Sequence, residues 1–552
     1  MKILFASPMR PYPPFLNGKD NLHLNYGNCT YGQEIFSVPT SMHFYGLHLI
    51  AQNICIPSTV LEHPSEHIFR RELKRQYDIV GISFNLPFFS RVIKMAKMVR
   101  EMSPRSKIVI GGPGVQCFAR STGKENELLS LVDGVCHGEG VRYMREMTGE
   151  NPDKPIKQDL PLGAIIPFRQ KFLRQESATL ISRLGCSNGC DFCAASAFFN
   201  HRRIQIADPK ELFLAVRDYL AKYNISSARI LDDNFLNEPE YVREFGRLLL
   251  NDPLCRRRNF TFCTFSSLQT ISQYDYEELV RYGLSGVLIG FESKFVDQMA
   301  PRVKKKLKNL DARKMVSDLV DHAIFIEGSM ILGWDFQERG NVMEDIDYYV
   351  SLGATLDQIV PLIPLPETRM WKQLQLEGRL FDDLSWDTAG FYSKWHRFKN
   401  FTHEELWKYE DIALKKAYGT WGPSYLRYFE VQLRGYRKFK NSRDGRLREI
   451  AEMHRKECAD LYPIFECCEV FAPNEAVRQR VENLRESYYR EFGAPSIRNR
   501  LKSSALVAIG AKTQLQQRLF KENTVQPRSE VYHYPHDGRQ EAMSHENGLT
   551  NS

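Results

Sequence analysis

The chain has 552 residues, 43% apolar and 26% charged, with a net charge of +8 from 75 basic and 67 acidic side chains. That make-up fits a globular protein of roughly three domains and excludes a disordered chain. The charge surplus is mild and by itself calls for no nucleic acid; no run reaches the roughly 18 apolar residues of a membrane span. The opening Met1-Lys-Ile-Leu-Phe-Ala is too short an apolar run for a signal peptide. Outside one trio the twelve cysteines have no framework spacing, which predicts reduced thiols and a cytoplasmic protein.

Residues 1–150 alternate strands with helices, so a Rossmann-like doubly wound sheet is expected. The strands are Lys2–Ala6, Ile54–Leu61, Tyr77–Ser83, Lys107–Ile110 and Asp133–Cys136; helical spacing covers Val38–Asn53 and Ser90–Met102. Ligands bind such sheets beyond the carboxyl ends of the strands, where Ser83, Gly111, Gly112, Gly138, Glu139 and Gly140 fall. These glycines permit close approach to a ligand, and serve equally as tight turns. No G-x-G-x-x-G follows a strand, which weakens a dinucleotide reading. His23, His43 and His48 read as surface or core histidines rather than ligands.

Residues 151–170 are rich in proline and polar side chains and read as a linker. A strand at 178–182 then runs into Cys186, Cys190 and Cys193, spaced C-x3-C-x2-C. Gly185 and Gly189 let this loop curl so that three thiolates converge, a set suited to iron–sulfur or zinc. Zinc would take His201 as a fourth ligand; an iron–sulfur cube would keep one iron open. Strand–helix alternation continues to residue 390 and predicts a partial (β/α)6 barrel. Its strand ends carry Asp232-Asp233-Asn234, Ser266-Ser267, Glu292, Gly333-Trp334 and Pro364-Leu-Pro366. Any of these carboxylates and hydroxyls could instead cap a helix or face solvent. The basic run from Arg302 reads as a solvated face or a phosphate guide. Residues 391–500 read as a helical, aromatic-rich domain, either an ordinary core or a lid, and 501–552 as a mostly disordered tail.

The cysteine spacing, with Phe192 just before the last thiol, resembles the signature of the radical S-adenosylmethionine (SAM) superfamily. Residues 1–390 as a whole are similar to its members with an N-terminal cobalamin-binding domain, the class B methyltransferase-like enzymes. The resemblance implies an oxygen-sensitive enzyme whose [4Fe-4S] cluster, on Cys186, Cys190 and Cys193, holds SAM by its open iron. A donor such as flavodoxin or ferredoxin would supply the electron that cleaves SAM to a 5′-deoxyadenosyl radical. It implies SAM contacts from Phe192, Asp232, Asp233, Asn234, Ser266, Ser267, Glu292 and Gly333. Cobalamin contacts would come from Ser83, Gly111, Gly112, Gly138, Glu139 and Gly140. The D-x-H-x-x-G motif that supplies a cobalt ligand is missing, since Ser7-Pro-Met-Arg-Pro-Tyr follows the first strand. The implied reaction is C-methylation of an unactivated carbon in a small biosynthetic substrate. A cyclase, oxidase or carbon–carbon coupling enzyme acting on a lipid or natural product is the alternative. A cobalamin- or zinc-binding sensor is the non-enzyme alternative. Methylthio transfer fits poorly, because residues 1–150 hold no second cysteine trio.

Overall fold

The computed structural model describes residues 1–13, 15–17, 19–20, 29–37, 43–119, 123–165, 175–307, 309–519 and 526–535. His23 lies outside them.

The first sheet is built from β1 (Ile3–Ala6), β2 (Ser58–Glu62), β3 (Ile79–Ser83), β4 (Lys107–Gly111) and β5 (Gly134–Val135). They run parallel in the order β2-β1-β3-β4-β5. β1 and β2 are buried at every position because helices cover both faces. The flanking helices include α1 (Tyr45–Gln52), α2 (Phe89–Met102) and α3 (Gly140–Thr148). β2 starts later than its sequence suggests, because Pro57 has no N–H to give a ladder and pairing begins at Ser58.

The second sheet holds β6 (Gly163–Ile165), β7 (Gln175–Leu180), β8 (Ser227–Ile230), β9 (Thr261–Ser266), β10 (Leu284–Glu292), β11 (Phe325–Leu332) and β12 (Leu356–Pro361). Its order is β12-β11-β10-β9-β8-β7-β6, parallel throughout except that β6 is antiparallel to β7. This is the expected α/β half-barrel. Alternation along β8 puts Ala228 and Ile230 into the helix-covered core and turns Arg229 to the concave side. Among the covering helices, α4 (Pro209–Lys222) starts with a full capping box from Asp208 and Glu211, and α5 (Val342–Leu352) joins β11 to β12. The segment expected to be a linker is anchored: Gln158 bonds the Ile181 backbone in both directions, and Ile156 and Leu160 are buried.

The C-terminal region is helical: α6 (His403–Trp421), α7 (Ser424–Phe439), α8 (Gly445–Leu461), α9 (Ile464–Val470), α10 (Glu475–Phe492) and α11 (Ile497–Leu519). Buried Arg427 on α7 ties it to the barrel, donating to the Ala354 carbonyl at 2.6 Å and to Asp357 at 2.7 Å.

Two elements correct the expected disordered tail. Residues 501–519 continue α11, whose Leu506, Val507 and Ile509 pack on the C-terminal core. Residues 530–534 form β13, antiparallel to β2 at the edge of the first sheet. The polar composition that suggested disorder hides a strand whose Tyr532 and Tyr534 are each 1% exposed.

Candidate active site

The cysteine loop sits at the carboxyl end of β7, and its shape depends on two left-handed glycines. Gly185 has φ of 77°, and a Cβ there would stand 2.4 Å from the Arg202 carbonyl oxygen. Gly189 has φ of 61°, and a Cβ there would stand 2.2 Å from Arg302 Nη1. No other residue fits either position without moving its surroundings. Cys186 and Cys190 are buried and Cys193 half-buried. The Asn188 N–H points at Cys186 Sγ at 3.4 Å, and Ser196 donates to the Cys186 carbonyl at 2.9 Å. Burial pushes the Cys193 thiol up to about 11; the Ser196 backbone opposes this, while Cys190, Asp233 and Cys186 add to it. Such thiols ionise when a metal takes the proton's place.

The donor set discriminates between metals. Four ligands on one zinc ion stand about 4 Å apart. Among the described residues, neither the trio nor the trio with His201 forms a set with all ligand atoms within 4.8 Å. Arg302 and Arg369 both donate to the Gly189 carbonyl, at 3.3 and 3.4 Å, and Arg369 also bonds Asp191 at 3.2 Å. Two guanidinium groups therefore flank a site that would hold three thiolates. Arg302 belongs to the run read as a solvated face; only the fold reveals its second role.

The strand-end residues divide into structural and unspent groups. Asp232 is buried and accepts from the Ser182 N–H at 2.8 Å and from the Ser182 hydroxyl, locking β8 to β7. Ser267 caps Leu268–Ile271, accepting from the Thr270 N–H. Ser266 donates to the Ser267 carbonyl at 3.3 Å. Asp233, by contrast, is open to solvent, though the protein around its recess pushes its carboxyl up to about 6 against the Gly185 N–H. Asn234 donates to Thr270 at 3.2 Å, yet its buried Oδ1 has no hydrogen-bond partner. Glu292 has φ of 59° at a register shift between β10 and β11, and is buried. Gly333 has φ of 99° and donates to Gln337 Oε1 at 2.7 Å. Phe192 packs edge-on against Trp334 at 5.5 Å.

A network that sequence reasoning missed holds the ends of β10 and β11. Buried Asp345 on α5 accepts from Ser293 Oγ at 2.5 Å, the Lys294 N–H at 2.7 Å and Gln337 Nε2 at 2.6 Å. Gln337 Oε1 in turn accepts from Gly333 and Trp334. No local motif marks Asp345 or Gln337; both lie beyond the strand end that they organise.

In the first sheet the candidate residues serve packing more than openness. A Cβ on Gly112 would lie 2.7 Å from Ser83 Oγ, and one on Gly140 2.6 Å from Ile50 Cδ1. Glu139 caps α3 with its side chain. Gly111 sits 3.3 Å from Cys136 by the same measure, whereas Gly138, with φ of 107°, faces open space. The loop after β1 is tied down by Tyr12, whose hydroxyl meets His63 Nδ1 at 2.7 Å and the Pro8 carbonyl at 2.8 Å.

The chain thus combines a doubly wound sheet, a parallel half-barrel and a helical C-terminal region, with a cysteine trio at the end of β7. No family model matches the chain. It is 22% identical over 378 residues to an uncharacterised methyltransferase of Pyrococcus horikoshii, spanning 62% of this chain and 78% of that one. It is 25% identical over 234 residues to the bacteriochlorophyllide d C-12(1)-methyltransferase of Chlorobaculum tepidum, spanning 41% of this chain and 48% of that one. Among solved structures, the radical SAM methyltransferase TsrM of Kitasatospora setae, with cobalamin and a [4Fe-4S] cluster bound, aligns with a TM-score of 0.50 and 13% identity. That alignment covers 83% of this chain and 99% of TsrM.

Proposed function

We propose that the protein is a cobalamin-dependent radical SAM methyltransferase that methylates an unactivated carbon of a small biosynthetic substrate. The observation that carries it is a set of buried, unspent polar atoms around the cysteine loop: Asn234 Oδ1, Trp334 Nε1 and His201 Nδ1. Buried polar atoms rarely go unbonded, so these three, on residues next to the cysteine loop, support a polar ligand there. When bound, the cluster would supply one-electron cleavage of SAM and cobalamin would carry the methyl group. The chain's part is to hold and exclude. Cys186, Cys190 and Cys193 would ligate the cluster, Asp233 would accept from the SAM ammonium, and Phe192 and Trp334 would shield the site from water. Ser83, Gly111 and Gly138 form the strand ends over which cobalamin would lie. The named methyltransferases among its relatives support the group transferred. A cytoplasmic setting fits twelve free cysteines, and flavodoxin or ferredoxin would serve as the reductant.

The second reading, radical chemistry without methyl transfer, draws on the first-sheet glycines, whose packing against Ser83 and Ile50 explains them with no corrin present. Anaerobic reconstitution with iron and sulfide, then labelled SAM and reductant, separates the two. The first reading requires 5′-deoxyadenosine together with label on cobalamin. The nucleoside without bound corrin selects the second. Cleavage that survives replacement of all three cysteines by alanine overturns both.

A further inference from the structure

His43, His48 and Glu62 are brought together at the end of β2, far from any role in the site above. Glu62 Oε2 is 2.5 Å from His43 Nδ1, and Oε1 is 3.3 Å from His48 Nε2. All three ligand atoms lie within 4.8 Å of one another. The side chains are 9%, 0% and 1% exposed for His43, His48 and Glu62. His48 Nε2 faces Glu62 Oε1, which also accepts from the Phe44 N–H at 2.5 Å.

The outer contacts are those that orient metal-bound imidazoles. His48 Nδ1 meets the Tyr534 hydroxyl at 2.6 Å, and the Tyr532 ring packs edge-on at 4.6 Å. The His43 ring also bonds the Leu162 backbone. Both rings present one nitrogen to a shared carboxylate, and the other nitrogen of His48 is fixed from behind by Tyr534. Imidazole and carboxylate are donors that zinc and its neighbours take, and an ion would replace the proton between His43 Nδ1 and Glu62 Oε2 and part the two atoms.

We propose that His43 Nδ1, His48 Nε2 and Glu62 form a structural site for one divalent transition-metal ion. The ion would fasten β13, through Tyr534 and His48, to β2 and α1. The rival arrangement is a buried imidazolium–carboxylate pair with no ion.

The test uses full-length protein with Cys186→Ala, Cys190→Ala and Cys193→Ala, so that the cysteine loop holds no zinc. After equilibration with micromolar zinc sulfate and desalting, elemental analysis should count about one zinc per chain. His48→Gln should abolish retention, as should His43→Gln, placed at the partly exposed rim. Zinc-free parent protein, or retention in either histidine variant equal to the parent's, overturns the site. Should the triple variant not fold, cobalt(II) added to wild type decides. Absorption without thiolate charge transfer, lost in His48→Gln, supports the site; thiolate bands alone overturn it.

Discussion

The Asp345 network yields a sharp prediction, because the direction of each hydrogen bond is forced. Gln337 Oε1 is occupied by two backbone N–H donors, so its Nε2 must donate to Asp345. The Lys294 N–H takes the other carboxylate oxygen. Asp345→Asn then sets an NH2 group against a fixed donor whichever way the amide turns. One buried donor left facing a donor, plus a lost charge-assisted bond, costs about 2–3 kcal/mol. Gln337→Glu alone buries two facing carboxylates and costs about 3–5 kcal/mol. Combined, the two substitutions reverse the central bond, the new amide at position 345 donating to the new carboxylate at position 337. The double variant should lie within about 1 kcal/mol of wild type. Amide hydrogen exchange at Gly333 and Trp334 reads this locally. Asp345→Asn should speed exchange about 30- to 150-fold, and the double variant should restore it. Unchanged exchange in Asp345→Asn, or additive losses in the double variant, refutes the network's role.

Other expectations follow from the same geometry. Arg427→Ala leaves Asp357 buried without its cation and should cost about 3–5 kcal/mol, seen as a lowered thermal midpoint of the α7–barrel unit. If Asp233 meets the SAM ammonium, SAM affinity should weaken as pH falls through about 6, because the carboxylate protonates; Asp233→Asn should bind weakly at every pH tested. Gly185→Ala should lose iron–sulfur loading while the fold survives, since the new Cβ strikes the Arg202 carbonyl at 2.4 Å. Tyr534→Ala empties a buried aromatic site and should cost about 3–5 kcal/mol, read as faster exchange along β2.

Much of the scaffold was legible because the signals are local. Tyr77–Ser83 and Gly286–Phe291 are apolar runs long enough to declare buried strands, and the spacing at 209–223 shows one wet face. The cysteine loop declares itself through three thiols and two glycines. What stayed hidden depends on tertiary partners. Asp232 and Asp233 are neighbours with identical side chains, yet one is consumed by Ser182 and the other faces solvent. Arg302 sits in a basic run and is distinguished only by reaching Gly189. Gln337 and Asp345 acquire meaning through each other. β13 was missed because a five-residue strand in polar surroundings carries too few apolar positions to register a period.

The edge position of β13 has a bearing on how the chain is made. Its pairing partner Glu62 leaves the ribosome 468 residues before Glu530 does. At ordinary elongation speeds that interval is roughly half a minute to a minute and a half. Throughout it, one flank of the nascent N-terminal unit shows unmatched amides and carbonyls, an invitation to sister polypeptides on the same messenger. A fusion tag butted against Tyr534 is therefore poorly placed, because it would sit on the strand that closes that flank.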